Sequence, residues 1–190
     1  MFRSIVISTP LVVAASLAQA VDAPPAMRAF VESEIMLWAT SAQVISAINA
    51  QNAQTAGTSK AQIIEWDNQW RAQVGQANQP LIATVMSHEL SVFLGDQVKA
   101  SEGRITEIFV MDALGLNVAA SGVTSDYWQG DEEKFTQSYG AGAGAVFVDA
   151  VEFDESSQSY QGQISISLTD PESGEVIGAM TIGLNAEAFF

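Results

Sequence analysis

The chain has 190 residues, with 22 acidic against 7 basic side chains and a net charge of −15, and 48% of it is apolar. This charge argues against nucleic acid and anionic membrane surfaces as partners, because counterion release needs Lys and Arg. The absence of cysteine excludes a disulfide framework and any thiolate metal site, and the length suits one domain held by packing alone.

Arg3 opens the chain with a basic residue, Ile5 to Leu17 form an apolar run, and Ala18-Gln19-Ala20 supplies small residues. That layout predicts a signal peptide cleaved after Ala20, and hence export to the periplasm. The run is shorter than the about 20 residues that span a bilayer, and Pro10 interrupts it.

Pro24 and Pro25 stand where a helix begins, and Val31, Ile35, Trp38, Ala42, Ile45 and Ile48 recur at steps of three or four. The spacing predicts one long amphipathic helix over Pro25 to Ala50. It either packs on the rest of the domain or pairs two copies into a homodimer, since Ala39, Ala42, Ala47 and Ala50 permit close approach. Ile63, Trp66, Trp70 and Val74 predict a second helix closed by Gly75, and a third follows Pro80 with Ile82, Val85, Met86, Leu90 and Phe93 on one side.

Beyond Arg104 the period turns to alternation. Strands are expected at Ile105 to Met111, Asn117 to Ala120, Ala145 to Phe153, Tyr160 to Leu168 and Val176 to Leu184, joined by turns at 112–115, 154–157 and 170–174. In the fourth, Ile164, Ile166 and Leu168 alternate with Ser165 and Ser167, so one face is buried and the other is polar or lines a cavity. The expected fold is α+β: a long N-terminal helix and further helices packed on a mostly antiparallel five-stranded sheet. The expected organisation is a signal peptide at 1–20, a helical region at 21–104 and a sheet at 105–190. Residues 121–144 form a long connection, and connections of that length are more often functional than idle.

Four segments carry a resemblance: Phe109-Val110-Met111-Asp112-Ala113-Leu114-Gly115, Thr124-Ser125-Asp126-Tyr127-Trp128-Gln129-Gly130-Asp131-Glu132, Phe153-Asp154-Glu155-Ser156, and Asp170-Pro171-Glu172-Ser173-Gly174-Glu175-Val176-Ile177-Gly178. In order and spacing they resemble the Cache domains, PAS-like extracytoplasmic sensors of chemoreceptors and histidine kinases. The resemblance implies a ligand site between the sheet and the connection above it. Ending at Phe190 without a second membrane segment, the chain is expected to be a stand-alone sensor module that acts through a membrane-bound sensor kinase, chemoreceptor or transporter.

In that setting Tyr127 and Trp128 offer flat apolar area, Asp126 or Asp131 a carboxylate for a cation, and Phe147, Asp149 and Gln163 further contacts from the strands. Each has a second reading: Tyr127 and Trp128 pin the loop to the core, and Asp126 and Asp131 cap helices. Aromatic rings facing a carboxylate suit an amine, although amino acids and small organic acids also fit the resemblance. No catalytic residue, metal site or cofactor is expected. His88 is the single histidine and sits at the margin of a helix stripe, and Gly140 to Gly144 precedes a strand instead of opening a helix. Asp131-Glu132-Glu133 and Asp154-Glu155 lack the spacing of an EF-hand loop.

Overall fold

The computed structural model describes residues 23–154 and 159–189. The signal peptide read at 1–20 lies outside the described residues, as do the turn at 155–157 and part of the segment Phe153 to Ser156. No helix among the described residues is long and apolar enough to cross a membrane.

The N-terminal helix is present but broken. It runs as α1 (Ala23–Phe30), a π-helical turn (Val31–Ile35), α2 (Met36–Ala39) and, after a break at Thr40 and Ser41, α3 (Ala42–Thr55). The wider turn shifts the phase of the buried stripe. The chain buries Met27, Val31, Ile35, Ala39, Val44 and Ile48, whereas Ala42, expected on that stripe, is exposed and Trp38 is half-buried. Ala39 and Ala47 lie in the protein's own core, so the buried stripe serves packing on the sheet.

Helix α4 (Lys60–Gln73) starts at Ser59, whose hydroxyl accepts from the Gln62 N–H at 3.3 Å. The third expected helix is two, α5 (Pro80–Met86) and α6 (Glu89–Ala100), because His88 breaks the run and caps the second piece. Its Nδ1 accepts from the Leu90 N–H at 3.1 Å. The single histidine therefore has a structural task.

Strands β1 (Ile105–Met111) and β2 (Asn117–Ala120) form a hairpin. The connection follows, with short helix α7 (Glu133–Thr136) and a 3-10 turn at Tyr139–Ala141. The expected third strand is split into β3 (Val146–Val148) and β4 (Glu152–Asp154), which lie one after the other along the edge of β5 (Ser159–Thr169). Strand β6 (Val176–Asn185) completes a six-stranded sheet in the order β2-β1-β6-β5-β3, with β4 also on β5, and every pairing is antiparallel.

One sheet face carries Ile108, Val110, Ile164, Ile166, Leu168, Met180 and Ile182 into the main core under α1, α3 and α6. The alternation of β5 makes this face apolar and leaves Gln163, Ser165 and Ser167 on the other. Close contact with α3 and the hairpin turn depends on Gly178, where an added Cβ would stand 2.2 Å from the Met111 carbonyl oxygen. Since that neighbour is backbone, Gly178→Ala is expected to destabilise by about 1–3 kcal/mol through overpacking, read from the urea midpoint at unchanged slope.

Candidate functional site

The second face of the sheet has two parts, which differ because different side chains cover them. At the β1–β2 turn end it is closed. Phe109, Met111, Ala120 and Ala179 pack with Phe135 of α7, and Tyr139 stacks on Phe135 with centroids 4.9 Å apart at 16°. Beneath them Ser165 and Thr181, both fully buried, share a hydrogen bond of 2.8 Å. Lys134 lies with its Nζ 5.5 Å from the Phe109 ring centroid and 3.0 Å from Glu132 Oε2. The space under the connection, where the resemblance placed a ligand, is thus occupied by the protein's own aromatic rings.

At the other end the face is open. Glu107 on β1 and Gln163 on β5 both pair with Gly183 on the strand between them. With no side chain at 183, the two reach across β6, and Gln163 Nε2 donates to Glu107 Oε1 at 3.0 Å. A Cβ at 183 would stand 2.7 Å from Glu107 Cγ and 2.6 Å from Thr106 Oγ1. The cleft that results has a volume of about 330 Å³ and is bounded by Glu107, Asp149, Glu152, Phe153, Gln161 and Gln163, together with Ala150 and Gly162. The break between β3 and β4 provides its outer wall: the Asp149 N–H donates to the Gln163 carbonyl at 2.9 Å, after which the chain leaves the ladder until Glu152 pairs with Gln161.

Three carboxylates and two primary amides from β1, β5 and the edge strands therefore surround one cleft, and no Lys or Arg lines it. Such a lining favours a cation carrying N–H donors, with Phe153 as an aromatic wall. Among the described residues no group of three or more carboxylate or imidazole side chains is placed to hold a metal ion.

Of the residues singled out in the sequence, Asp149 and Gln163 meet in this cleft. Phe147 is half-buried on the same face, paired with Ser165, but is not part of the lining. The other four lie elsewhere. Tyr127 and Trp128 are held near the β1–β2 turn, and that end of β1 is ~13 Å along the strand from Glu107.

Tyr127 is 8% exposed and stacks on Trp70 at 5.4 Å and 19°. Its phenol is pushed up to about 12, by burial first and by the charge of Asp112 second. Trp128 Nε1 donates to the Leu114 carbonyl at 2.8 Å, and the N–H groups of Tyr127 and Trp128 both donate to Asp67 Oδ1 at 3.0 Å. These two aromatic residues pin the connection to α4 and the hairpin, which is the second of the two readings open for them.

Asp126 caps no helix. It pairs with Arg71 Nε at 2.6 Å, and the same guanidinium pairs with buried Asp67. Asp131 is exposed, and the residue that precedes α7 is Glu132, whose side chain makes no capping bond. Sequence reasoning missed Glu107, Glu152 and Gln161. For Glu107 a signal was present, a lone charge in the otherwise apolar run Ile108-Phe109-Val110-Met111 and its lead-in. For Gln161 the alternation of β5, which puts it on the same face as Gln163, was a signal too, whereas for Glu152 facing the same cleft depends on the split of the edge strand.

No family model matches the chain, and no curated protein matches it either. Solved structures do. The extracellular domain of rpHK1S-Z16, described as a histidine kinase, is 14% identical over 75% of this chain and 54% of its own, at a TM-score of 0.43. The sensor domain of the V. cholerae histidine kinase DctB is 12% identical over 83% of this chain and 59% of its own, at a TM-score of 0.40. The sensory domain of the Campylobacter jejuni chemoreceptor Tlp3 with isoleucine bound is 10% identical over 87% of this chain and 65% of its own, at a TM-score of 0.40. The chain spans between 54% and 65% of the length of these structures. These solved structures are an extracellular domain and a sensor domain of two histidine kinases and the sensory domain of one chemoreceptor.

Proposed function

We propose that this protein is a Cache-type ligand-binding module that takes a small amine or other cationic molecule into the cleft between Glu107, Asp149 and Glu152. In this reading the module is exported and acts through a membrane-bound signalling partner. The observation that carries the ligand class is the cleft's lining: carboxylates from β1, from β4 and from the break between β3 and β4, amides from β5, and no basic side chain. A small organic acid would meet three like charges there. An ammonium group would gain charge-assisted hydrogen bonds from whichever carboxylate it reaches. The closed packing of Phe135 and Tyr139 under the connection supports this end of the face as the entry side.

Isothermal titration of the purified protein against putrescine, choline, neutral amino acids and acetate tests the reading. Putrescine is expected to bind most tightly, choline, which has no N–H to donate, more weakly through its charge and the Phe153 ring, and acetate to give no heat. Glu107→Gln and Asp149→Asn are each expected to weaken amine binding about tenfold, the scale of one charge-assisted hydrogen bond. The affinity should also fall with added salt, as these side chains are only partly shielded. Binding of acetate in preference to the amines, or of neither, would sink the assignment.

A further inference from the structure

On the helix-covered side of the sheet, opposite the acidic cleft, a cavity of about 280 Å³ lies between the N-terminal helices and the end of α6. Its apolar walls include Phe30, Leu37 and Trp38, and its polar groups include Glu34, Gln97 and Arg104. The walls are fixed by ring contacts: Phe30 meets Phe189 edge-on at 5.4 Å, and Trp38 meets Phe93 edge-on at 5.4 Å. The π-helical turn sets the adjoining phase, which leaves Leu37 79% exposed at the rim.

Arg104 is the distinctive group. Among the described residues Arg28, Arg71, Lys99 and Lys134 each sit within ion-pair distance of a carboxylate, as expected in a chain with 22 acids and 7 bases. Lys60 and Arg104 have no such partner among the described residues; Lys60 stands over the Trp128 ring, 5.5 Å from its centroid, and Arg104 is the one that lines this cavity. Its Nε donates to the Ser101 carbonyl at 3.2 Å, and its guanidinium carbon lies 4.7 Å from the Phe30 ring centroid. A guanidinium has five N–H donors in a planar fork that matches a carboxylate, and stacking on a ring orients that fork at an apolar wall. Glu34 lines the same cavity from the π-helical turn and forms no ion pair with Arg104 among the described residues. A ligand with a second negative charge would be exposed to Glu34.

We propose that this cavity is a second binding site, for a small monocarboxylate with an apolar, ring-bearing body. The ring lies against Phe30, Leu37 and Trp38, and the carboxylate is held by Arg104. The proposal does not depend on the amine reading of the opposite face, and it fails or stands by different variants.

Isothermal titration with phenylacetate, neutral phenylacetamide and the dianion phenylmalonate tests it. Phenylacetate is expected to bind at least about tenfold more tightly than either of the others, a difference of about 1.4 kcal/mol. Arg104→Gln should abolish that preference with the thermal midpoint as a check on folding. Leu37→Glu, at a position too exposed to affect the fold, should weaken phenylacetate about tenfold and serves if Arg104→Gln unfolds. Glu107→Gln should leave phenylacetate binding unchanged. Equal affinity for phenylacetate and phenylacetamide overturns the proposal, as does wild-type affinity in Arg104→Gln or Leu37→Glu, sensitivity to Glu107→Gln, or no heat from phenylacetate at millimolar concentration.

Discussion

Trp70→Ala is expected to destabilise the protein by about 3–5 kcal/mol, the range for removing a fully buried large aromatic side chain. Trp70 is 0% exposed and joins the helical front to the connection by two means. Its ring stacks on Tyr127, and its Nε1 donates to the Thr124 carbonyl at 2.8 Å. Around that pair, Asp67 on the same helix accepts from the Tyr127 and Trp128 backbone, and Arg71 links Asp67 to Asp126. The loss should therefore be local as well as global. In urea unfolding the midpoint falls, and in hydrogen exchange the amides of Tyr127 and Trp128 lose protection more than those of β5. Trp70→Phe keeps the stacking and removes one hydrogen bond, so a loss of about 1–2 kcal/mol is expected. A loss below 1 kcal/mol for Trp70→Ala would show that the connection is held by other contacts.

The second large effect belongs to Asp112, the fully buried residue that opens the β1–β2 turn. Its Oδ1 accepts from the N–H groups of Leu114 and Leu116 at 2.9 Å, and its Oδ2 accepts from Thr55 Oγ1 at 2.9 Å and Gln51 Nε2 at 3.3 Å on α3. One carboxylate thus shapes the turn and seats the end of the long helix on it. Asp112→Ala strands several donors at once and is expected to destabilise by about 3–4 kcal/mol.

Burial raises the pKa of Asp112 above the ordinary carboxylate value of 3.8, against the lowering effect of the four hydrogen bonds. With the folded-state pKa above the unfolded one, the folded protein holds the proton more tightly. The contribution of this group is thus fully present at low pH, and it is lost as pH rises from the unfolded value through the raised folded one. Asp112→Asn retains an oxygen for the turn and cannot ionise. The stability difference between wild type and Asp112→Asn should shift against the wild type as pH rises through that window, and a pH-independent difference would contradict the assignment.

The sequence was legible where a single period carried the information. The alternation of Ile164, Ile166 and Leu168 with serines identified the strand and its two faces, and the glycine and proline punctuation located the turns at 112–115 and 170–174. The long helix was legible as an apolar stripe but not as broken pieces, because a π-helical turn changes the phase by one residue and leaves each short stretch looking helical. The split of Ala145 to Phe153 was hidden for a similar reason. Phe147, Val151 and Phe153 share one parity and read as one alternating run, yet the ladder on β5 is interrupted between Asp149 and Glu152.

The candidate site was half legible. Asp149 and Gln163 were named from the strands and meet in the cleft, whereas the aromatic pair Tyr127 and Trp128 lies at the other end of the sheet and packs on α4. A ring and an acid adjacent in sequence look the same whether they face a ligand or a neighbouring helix. The difference lay in Trp70, Asp67 and Arg71, some 60 residues away on α4, whose pairing with the connection no local pattern reveals.

By itself the sequence determined the acidic balance, the lack of disulfides, the order of helices before strands, and the alternation that gives the sheet one apolar and one polar face. These follow from composition and from periods of 3.6 and 2, which are local properties. Only the tertiary structure decided which part of the polar face is closed and which is open, because that depends on Phe135 and Tyr139 folding back over one end and on Gly183 letting Glu107 and Gln163 meet at the other. Only there, too, does Arg104 emerge as a cation stacked on Phe30 with no carboxylate partner among the described residues, since ion pairing is a matter of neighbours in space.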